Sequence, residues 1–400
     1  MEGRYAPLHP HQSSSNEARA PARPGTSQGT VATRTISPTS PPAAPARPLA
    51  AVRRFVGRWG LIAALAALPV YYGIHDLVYG YQAGVVAGHA VIHHDLANLG
   101  NDVAQGLSNG AIWALIAIGY TLVYGIIELI NFAHGDVFMI GSFTSVGLWG
   151  VFGLGLTTSA LGLTWGLLAT LIIAMIVTGS LNVLIERVAY RPLRNAPKLA
   201  SLITAVGFSF ILQNVGLLWR GGSPQSVPDL IHVQQTVFTI GGVPIQRGYI
   251  LAFAVMIPLV FALGWFISRT RAGRAMRATA QDPEAARLMG INVNATISLT
   301  FLLGGMLAGA AGLVYALYQT NIWFFQGFKA GLIAFTAAVM GGIGNVRGAV
   351  LGGLIIGVIQ ALADARLGPQ WTEAVVFAYL IAIMILRPRG LLGEETREAG

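Results

Sequence analysis

Four polar side chains stand within nine residues between two apolar runs: Glu128, Asn131, His134 and Asp136, in the stretch from Gly106 to Phe143. On a helix Asn131 and His134 would share one face, and Glu128, Phe132 and Asp136 another, because residues three or four apart are neighbours. An ionisable group at the centre of a bilayer costs about 2.5–3.5 kcal/mol on insertion scales, so it usually faces a cavity or a partner. Two readings follow. The cluster lines a pathway, or it is a polar turn between helices held by side-chain caps. The second chemically rich stretch runs from Arg274 to Ile291 and is charged and helix-forming. There Asp282 is placed to cap a helix that Pro283 opens and Gly290 ends.

Other chemistries find no footing. His89 and His93 have the i, i+4 spacing of a metal pair, but no third ligand accompanies them, so neither a metal nor a cofactor is expected. A Gly-x4-Gly-Lys-Ser/Thr phosphate loop is absent, and the two lysines, Lys198 and Lys329, lie in other contexts. His-Glu-x-x-His is also absent, no catalytic residue is assigned, and hydrolysis within the membrane is not expected. ATP, if used, must be bound by another protein.

The elements that position these residues are set by composition. Of 400 residues 54% are hydrophobic and 10% charged, against about 25% charged in an ordinary soluble protein. A water-facing surface needs charge, so the solvent must be lipid. A hydrocarbon slab takes roughly 20 apolar residues to cross, and lipid offers the backbone no partners. The apolar runs are long and continuous rather than alternating, which selects helices over a barrel. The expectation is an all-α, polytopic integral membrane protein with about eight to ten transmembrane helices. Spans are expected near 59–79, 106–127, 137–155, 162–184, 199–219, 249–267, 295–318, 346–363 and 372–386. The apolar piece 331–343 is too short to stand upright, so it reads as a half-helix, a re-entrant segment or a short tilted crossing.

Glycine supplies 50 residues, and the pairs Gly305/Gly309, Gly348/Gly352 and Gly353/Gly357 suit close helix packing. Cysteine is absent. The net charge of +9 comes from arginines gathered between spans, the positive-inside pattern rather than a nucleic-acid surface. The loops 186–198 and 268–294 are therefore expected on the cytoplasmic side and 220–248 outside. The span count then puts both termini inside, provided 331–343 crosses and 128–136 is an inside turn.

INFAHGD (130–136) after an apolar span, ERVAYRPLRNAP (186–197), RAMRATAQDPEAARLMGI (274–291), AVMGGIGNVRGAVLGG (338–353) and LRPRGLLG (386–393) together resemble the permeases of branched-chain amino-acid ABC importers. The chain is similar to the first of that system's two paired permeases, over roughly residues 100–393. Residues 1–50 have no part in the resemblance.

The resemblance implies an inner-membrane permease passing branched-chain or related amino acids inward. Its partners would be a second permease, two cytosolic ATPases and a periplasmic binding protein. Composition and apolar runs suggest a disordered Pro/Ser/Ala/Arg-rich extension (1–52) and a signal anchor with an external polar segment (53–105), followed by the permease domain (106–393). Arg274, Arg277, Asp282, Glu284, Ala285, Ala286 and Gly290 would form the ATPase-docking segment, which is similar to the EAA loop of ABC permeases. The usual downstream Ile-x-Leu-Pro is missing. A zwitterion needs polar partners for its charged ends and an apolar wall for its side chain, roles open to Asn131, Phe132 and His134. Urea or short amides fit the same family. A secondary transporter or channel working alone fits less well, since its coupling carboxylates should lie inside spans.

Overall fold

The computed structural model describes residues 48–86, 89–194 and 196–393. The disorder expected for 1–52 falls, as far as residue 47, outside them. Twelve α-helices are present among the described residues. They are α1 (Pro48–Val78), α2 (Ala97–Ile127), α3 (His134–Val151), α4 (Ala160–Ile185), α5 (Lys198–Arg220) and α6 (Arg247–Arg269). After these come α7 (Arg271–Gln281), α8 (Pro283–Leu288), α9 (Val293–Gln319), α10 (Gln326–Gly341), α11 (Val346–Arg366) and α12 (Thr372–Leu386). Among the described residues, strand is confined to three two-stranded antiparallel pairs in the connections: 81–86 with 89–93, 225–226 with 321–322, and 236–240 with 243–246.

Seven helices among the described residues are long and apolar enough to cross a membrane: those spanning 97–127, 160–190, 198–220, 247–269, 293–319, 346–366 and 369–386. The outer helices turn Trp165, Ile176, Phe210, Phe261 and Ile385 outward, a surface suited to lipid and not to water. The centre is α2 and α9, which run antiparallel: Gly119 meets Gly304 and Trp113 meets Tyr315. Glycine sets the spacing around them. On one side Gly106 and Gly110 of α2 lie on the backbone of Gly353, Leu354, Gly357 and Val358 in α11. On the other, Gly305 and Gly309 of α9 lie on Ala174, Thr178 and Gly179 of α4. A Cβ at Gly357 would sit 2.3 Å from the Gly106 carbonyl oxygen. Only a hydrogen fits there.

Two helices, α3 and α10, begin inside the bundle and so cover only part of its depth. His134 opens α3 pressed against Gly119, eight residues before the end of α2, or about 12 Å back up its axis at 1.5 Å per residue. Six residues, 128–133, make that return, and an extended chain of six can reach about 20 Å. The segment 128–136 therefore re-enters the bundle instead of turning at its edge, and the span expected at 137–155 is an 18-residue half-helix. The apolar piece expected at 331–343 belongs to α10, a second half-helix of 16 residues. Its N-terminus meets that of α3, with Gly327 on Gly135 and Asp136, and Gly331 on Gly135 and the Tyr120 hydroxyl.

The two arms share one geometry. Each long helix ends in a non-glycine residue in the left-handed region, Glu128 (φ 51°) after α2 and Thr320 (φ 49°) after α9. A six-residue return follows, and one backbone bond locks it: His134 N–H to Asn131 O at 3.0 Å, and Gln326 N–H to Trp323 O at 3.1 Å. With α2 and α9 antiparallel, this is an inverted-topology repeat.

At one end of the bundle Arg366 of α11 holds Asp76 of α1 through two hydrogen bonds (2.7 and 2.8 Å) and Asp102 of α2 through Nε (2.9 Å). This ion pair explains why α2 begins at Ala97 and not near 106. The polar residues that look like a loop are a helix start whose charge is neutralised across the fold.

Candidate functional site

The junction of the two half-helices collects the polar residues of the first motif. Asp136 lies in the first turn of α3, fully buried. Its Oδ2 accepts from the Ser209 hydroxyl and from Gln213 Nε2 (3.5 Å), while Gln213 also donates to Ser209 Oγ at 3.0 Å. Those two residues sit four apart on α5, so one helix face supplies both donors. The N-terminus of α10 abuts Asp136 at Gly327, and two helix N-termini favour a negative charge placed between them. The junction thus gathers two helix N-termini on one buried carboxyl.

Around it, polar atoms are buried without a protein hydrogen-bond partner: Asp136 Oδ1 and Gln326 Nε2. The His134 imidazole presses on Gly119, edge-on to the Tyr120 ring at 4.9 Å. Unpaired buried polar groups cost about 1–3 kcal/mol each, so their presence marks strain or use.

Asn131 belongs to a second network. Its Nδ2 donates to Asn182 Oδ1 (3.2 Å), and its Oδ1 accepts from the Tyr190 hydroxyl (3.1 Å). Asn182 in turn donates to the Phe301 carbonyl at 2.6 Å. The connection is thereby tied to α4 and α9. Phe132 is half-buried against Phe335 of α10, ring centroids 6.0 Å apart. Glu128 stands apart at the surface, 3.1 Å from Lys198 Nζ, with both side chains exposed. The structure brings His134 and Asp136 together, sets Asn131 and Phe132 beside them, and leaves Glu128 at the rim.

The second motif forms a compact unit at the end of α6. The Thr270 hydroxyl caps α7 at the Gly273 amide (3.0 Å), and Asp282 Oδ1 caps α8 at the amides of Glu284 (2.8 Å) and Ala285 (3.0 Å). Gly290, at φ 81°, ends it. Gly273, Met276, Thr279 and Ala286 face inward, whereas Arg274, Arg277, Asp282, Glu284 and Ala285 face out. At the tip Leu288 and Met289 are 89% and 83% exposed. Sequence reasoning missed these two. It also missed Ser209, Gln213, Asn182 and Tyr190, whose signal was a polar residue recurring within an apolar span. Of the proposed metal pair, the His89 side chain lies outside the described residues.

Long apolar helices, a lipid-suited exterior and broken helices meeting inside the bundle define a polytopic α-helical membrane protein. A family described as the branched-chain amino acid transport system permease component matches residues 103–384, and the chain belongs to it. It is 44% identical to the high-affinity branched-chain amino acid transport system permease protein BraD of Pseudomonas aeruginosa, over 76% of this chain and 97% of BraD. It is 42% identical to the corresponding protein LivH of Escherichia coli, over 72% of this chain and 94% of LivH. Similarity to the autoinducer 2 import system permease protein LsrC of Klebsiella pneumoniae is lower, 30% over 48% of this chain and 56% of LsrC.

Proposed function

We propose that this chain is the membrane permease of an ABC importer for branched-chain amino acids, carrying no ATPase of its own. The observation that carries the proposal is near-full-length similarity to BraD and LivH, joined to an α7–α8 unit that offers an apolar tip. Leu288 and Met289 stand on a helix capped at both ends and anchored by buried Ala286 and Met276. Two large apolar side chains in water at the end of a rigid, arginine-flanked unit suit a groove on another protein. That protein is a cytosolic ATPase, one of two. A second permease completes the passage, and a periplasmic binding protein docks at the opposite end, where 225–226 pairs with 321–322. The arginine-rich loops support a cytoplasmic side for α7–α8 and both termini in an inner-membrane protein.

Within the first motif the roles divide. Glu128, Asn131 and Phe132 border the passage at its cytoplasmic end, while His134 and Asp136 hold the half-helix junction. Proteoliposomes containing this chain, the second permease, the ATPases and a leucine-loaded binding protein test the reading. ATP-dependent leucine uptake is expected, with Leu288→Glu/Met289→Glu abolishing ATPase association. Uptake by this chain alone, driven by an ion gradient, would overturn it.

A further inference from the structure

The cytoplasmic end of α4 departs from α-helix in a way the transport reading does not use. Residues 186–190 form a π-helical turn, closed by the Arg191 amide on the Glu186 carbonyl at 2.8 Å. Such single turns recur at functional sites because they re-aim side chains. Here the turn keeps Glu186, Ala189 and Tyr190 inward and sets Arg187 and Arg191 outward.

The charges around the turn do not cancel. Glu186 is fully buried and takes both the Arg194 guanidinium and the Ser298 hydroxyl (2.7 Å). Its charge is spent on Arg194, which also donates to Asn294. Arg187 and Arg191 form no ion pair among the described residues.

Both arginines open onto a cleft between α4 and α9. The part nearer the bilayer centre encloses about 490 Å³, walled by Val183, Leu184, Leu299 and Leu302, with Ser180 on its lip and Arg187 and Ser298 at its base. Past Arg187 and Ser298 it continues for about 390 Å³ to Arg191, with the amides of Asn292 and Asn294. An apolar trough therefore leads into a pocket with two guanidinium groups and two amides, in that order toward the cytoplasmic end. A soluble anion would use only the second half, and an amino acid is too short to need the first. An acyl chain joined to a phosphate uses both.

We propose that this cleft binds an anionic phospholipid. The phosphate sits between Arg187 and Arg191, where guanidinium forks match phosphate oxygens. One acyl chain lies along Leu184 and Leu302. The bound lipid braces α4 against α9, the helix pair that carries Asn182 and so holds Asn131.

Native mass spectrometry of the purified full chain tests this, with dioleoyl phosphatidylglycerol, dioleoyl phosphatidylcholine and inorganic phosphate as probes. The wild type should retain phosphatidylglycerol over phosphatidylcholine, and millimolar phosphate should not displace it. Arg187→Gln/Arg191→Gln should lower retention about tenfold, the loss of a charge-assisted contact. Ser180→Trp, which fills the trough without touching either arginine, should do the same. The control Arg269→Gln/Arg271→Gln removes equal charge from the same end and should leave retention intact. Undiminished retention in either cleft variant, equal loss in the control, equal retention of phosphatidylcholine, or displacement by phosphate would each overturn the proposal.

Discussion

The two arms of the inverted repeat are alike in backbone and opposite in chemistry. After α2 the return carries Glu128, Asn131, His134 and Asp136; after α9 the matching positions are Thr320, Trp323, Gln326 and Phe328. One arm is polar and enters from the arginine-rich end. The other is aromatic, its Trp323, Phe324, Phe325 and Phe328 rings in successive contact, and it enters from the end where 225–226 pairs with 321–322. Shape was duplicated and chemistry was not. The backbone can be held by glycine contacts, a locked turn and a left-handed cap with many side chains in between, so the side chains are free to answer to whichever side of the membrane each arm faces.

The comparison can be broken at its shared point. Gly135→Leu and Gly327→Leu each drive a side chain into the opposite half-helix, where a Cβ would lie 2.3 Å from the Gly327 carbonyl oxygen or 2.8 Å from the Asp136 Cα. Both should cost at or above the top of the ~1–3 kcal/mol overpacking range, seen as loss of monodisperse protein in size exclusion. Tolerance of one alone would mean that the arms are not equivalent. The chemical difference is sharpened by Asp136→Ala against Phe328→Ala. Removing Asp136 strands the Ser209 and Gln213 donors, about 1–3 kcal/mol, and reconstituted leucine uptake should fall about tenfold. Phe328 is half-buried, and its loss should change uptake about twofold or less. Asp136→Asn separates charge from shape.

The caps come next. Glu128→Gly and Thr320→Gly should raise the unfolding temperature, more at Thr320 because a β-branched residue suffers most at positive φ. Glu128→Val, which introduces such branching, should lower stability by about 1–2 kcal/mol. The smallest effect concerns the starts of the long helices. At α2 the Ala97 amide donates to Asp95 (2.9 Å), and this bond, with that of the Tyr81 hydroxyl, holds the Asp95 carboxyl below its ordinary range. The capping contribution is therefore present at neutral pH and lost as pH falls through that lowered pKa. At α9 the cap is Asn292 on the Ala295 amide (3.0 Å), which does not titrate. Hydrogen exchange at low pH should release Ala97 while Ala295 stays protected.

Much of this was legible in the sequence, and for local reasons. Span length located the crossing helices, and Thr270, Asp282-Pro283 and Gly290 carry the capping grammar that delimits α7 and α8. What stayed hidden was depth. Residues 128–133 read as a turn at the bundle edge because nothing local records that His134 packs on Gly119. The repeat was hidden too. Ile130/Ile322, Phe132/Phe324 and Gly135/Gly327 recur at one constant spacing, but three matches in a membrane protein are lost among abundant Ile, Phe and Gly. The Leu288–Met289 tip escaped because apolar residues beside a span look like its continuation until their exposure is known.

The meeting of α3 and α10 has a mechanical meaning. A single helix through the membrane is a rod, and a push at one end arrives at the other. Here that column is two short rods touching tip to tip through Gly135, Gly327 and Gly331. The α10 rod is fastened at its C-terminal end, where the Leu391 and Leu392 amides bond the Met340 and Gly341 carbonyls. The α3 rod is fastened at its middle, where Arg220 bonds the Phe143 carbonyl at 2.9 Å. Tilting the α10 rod need not tilt the α3 rod. The joint divides the column into two pieces, each anchored to a different neighbour.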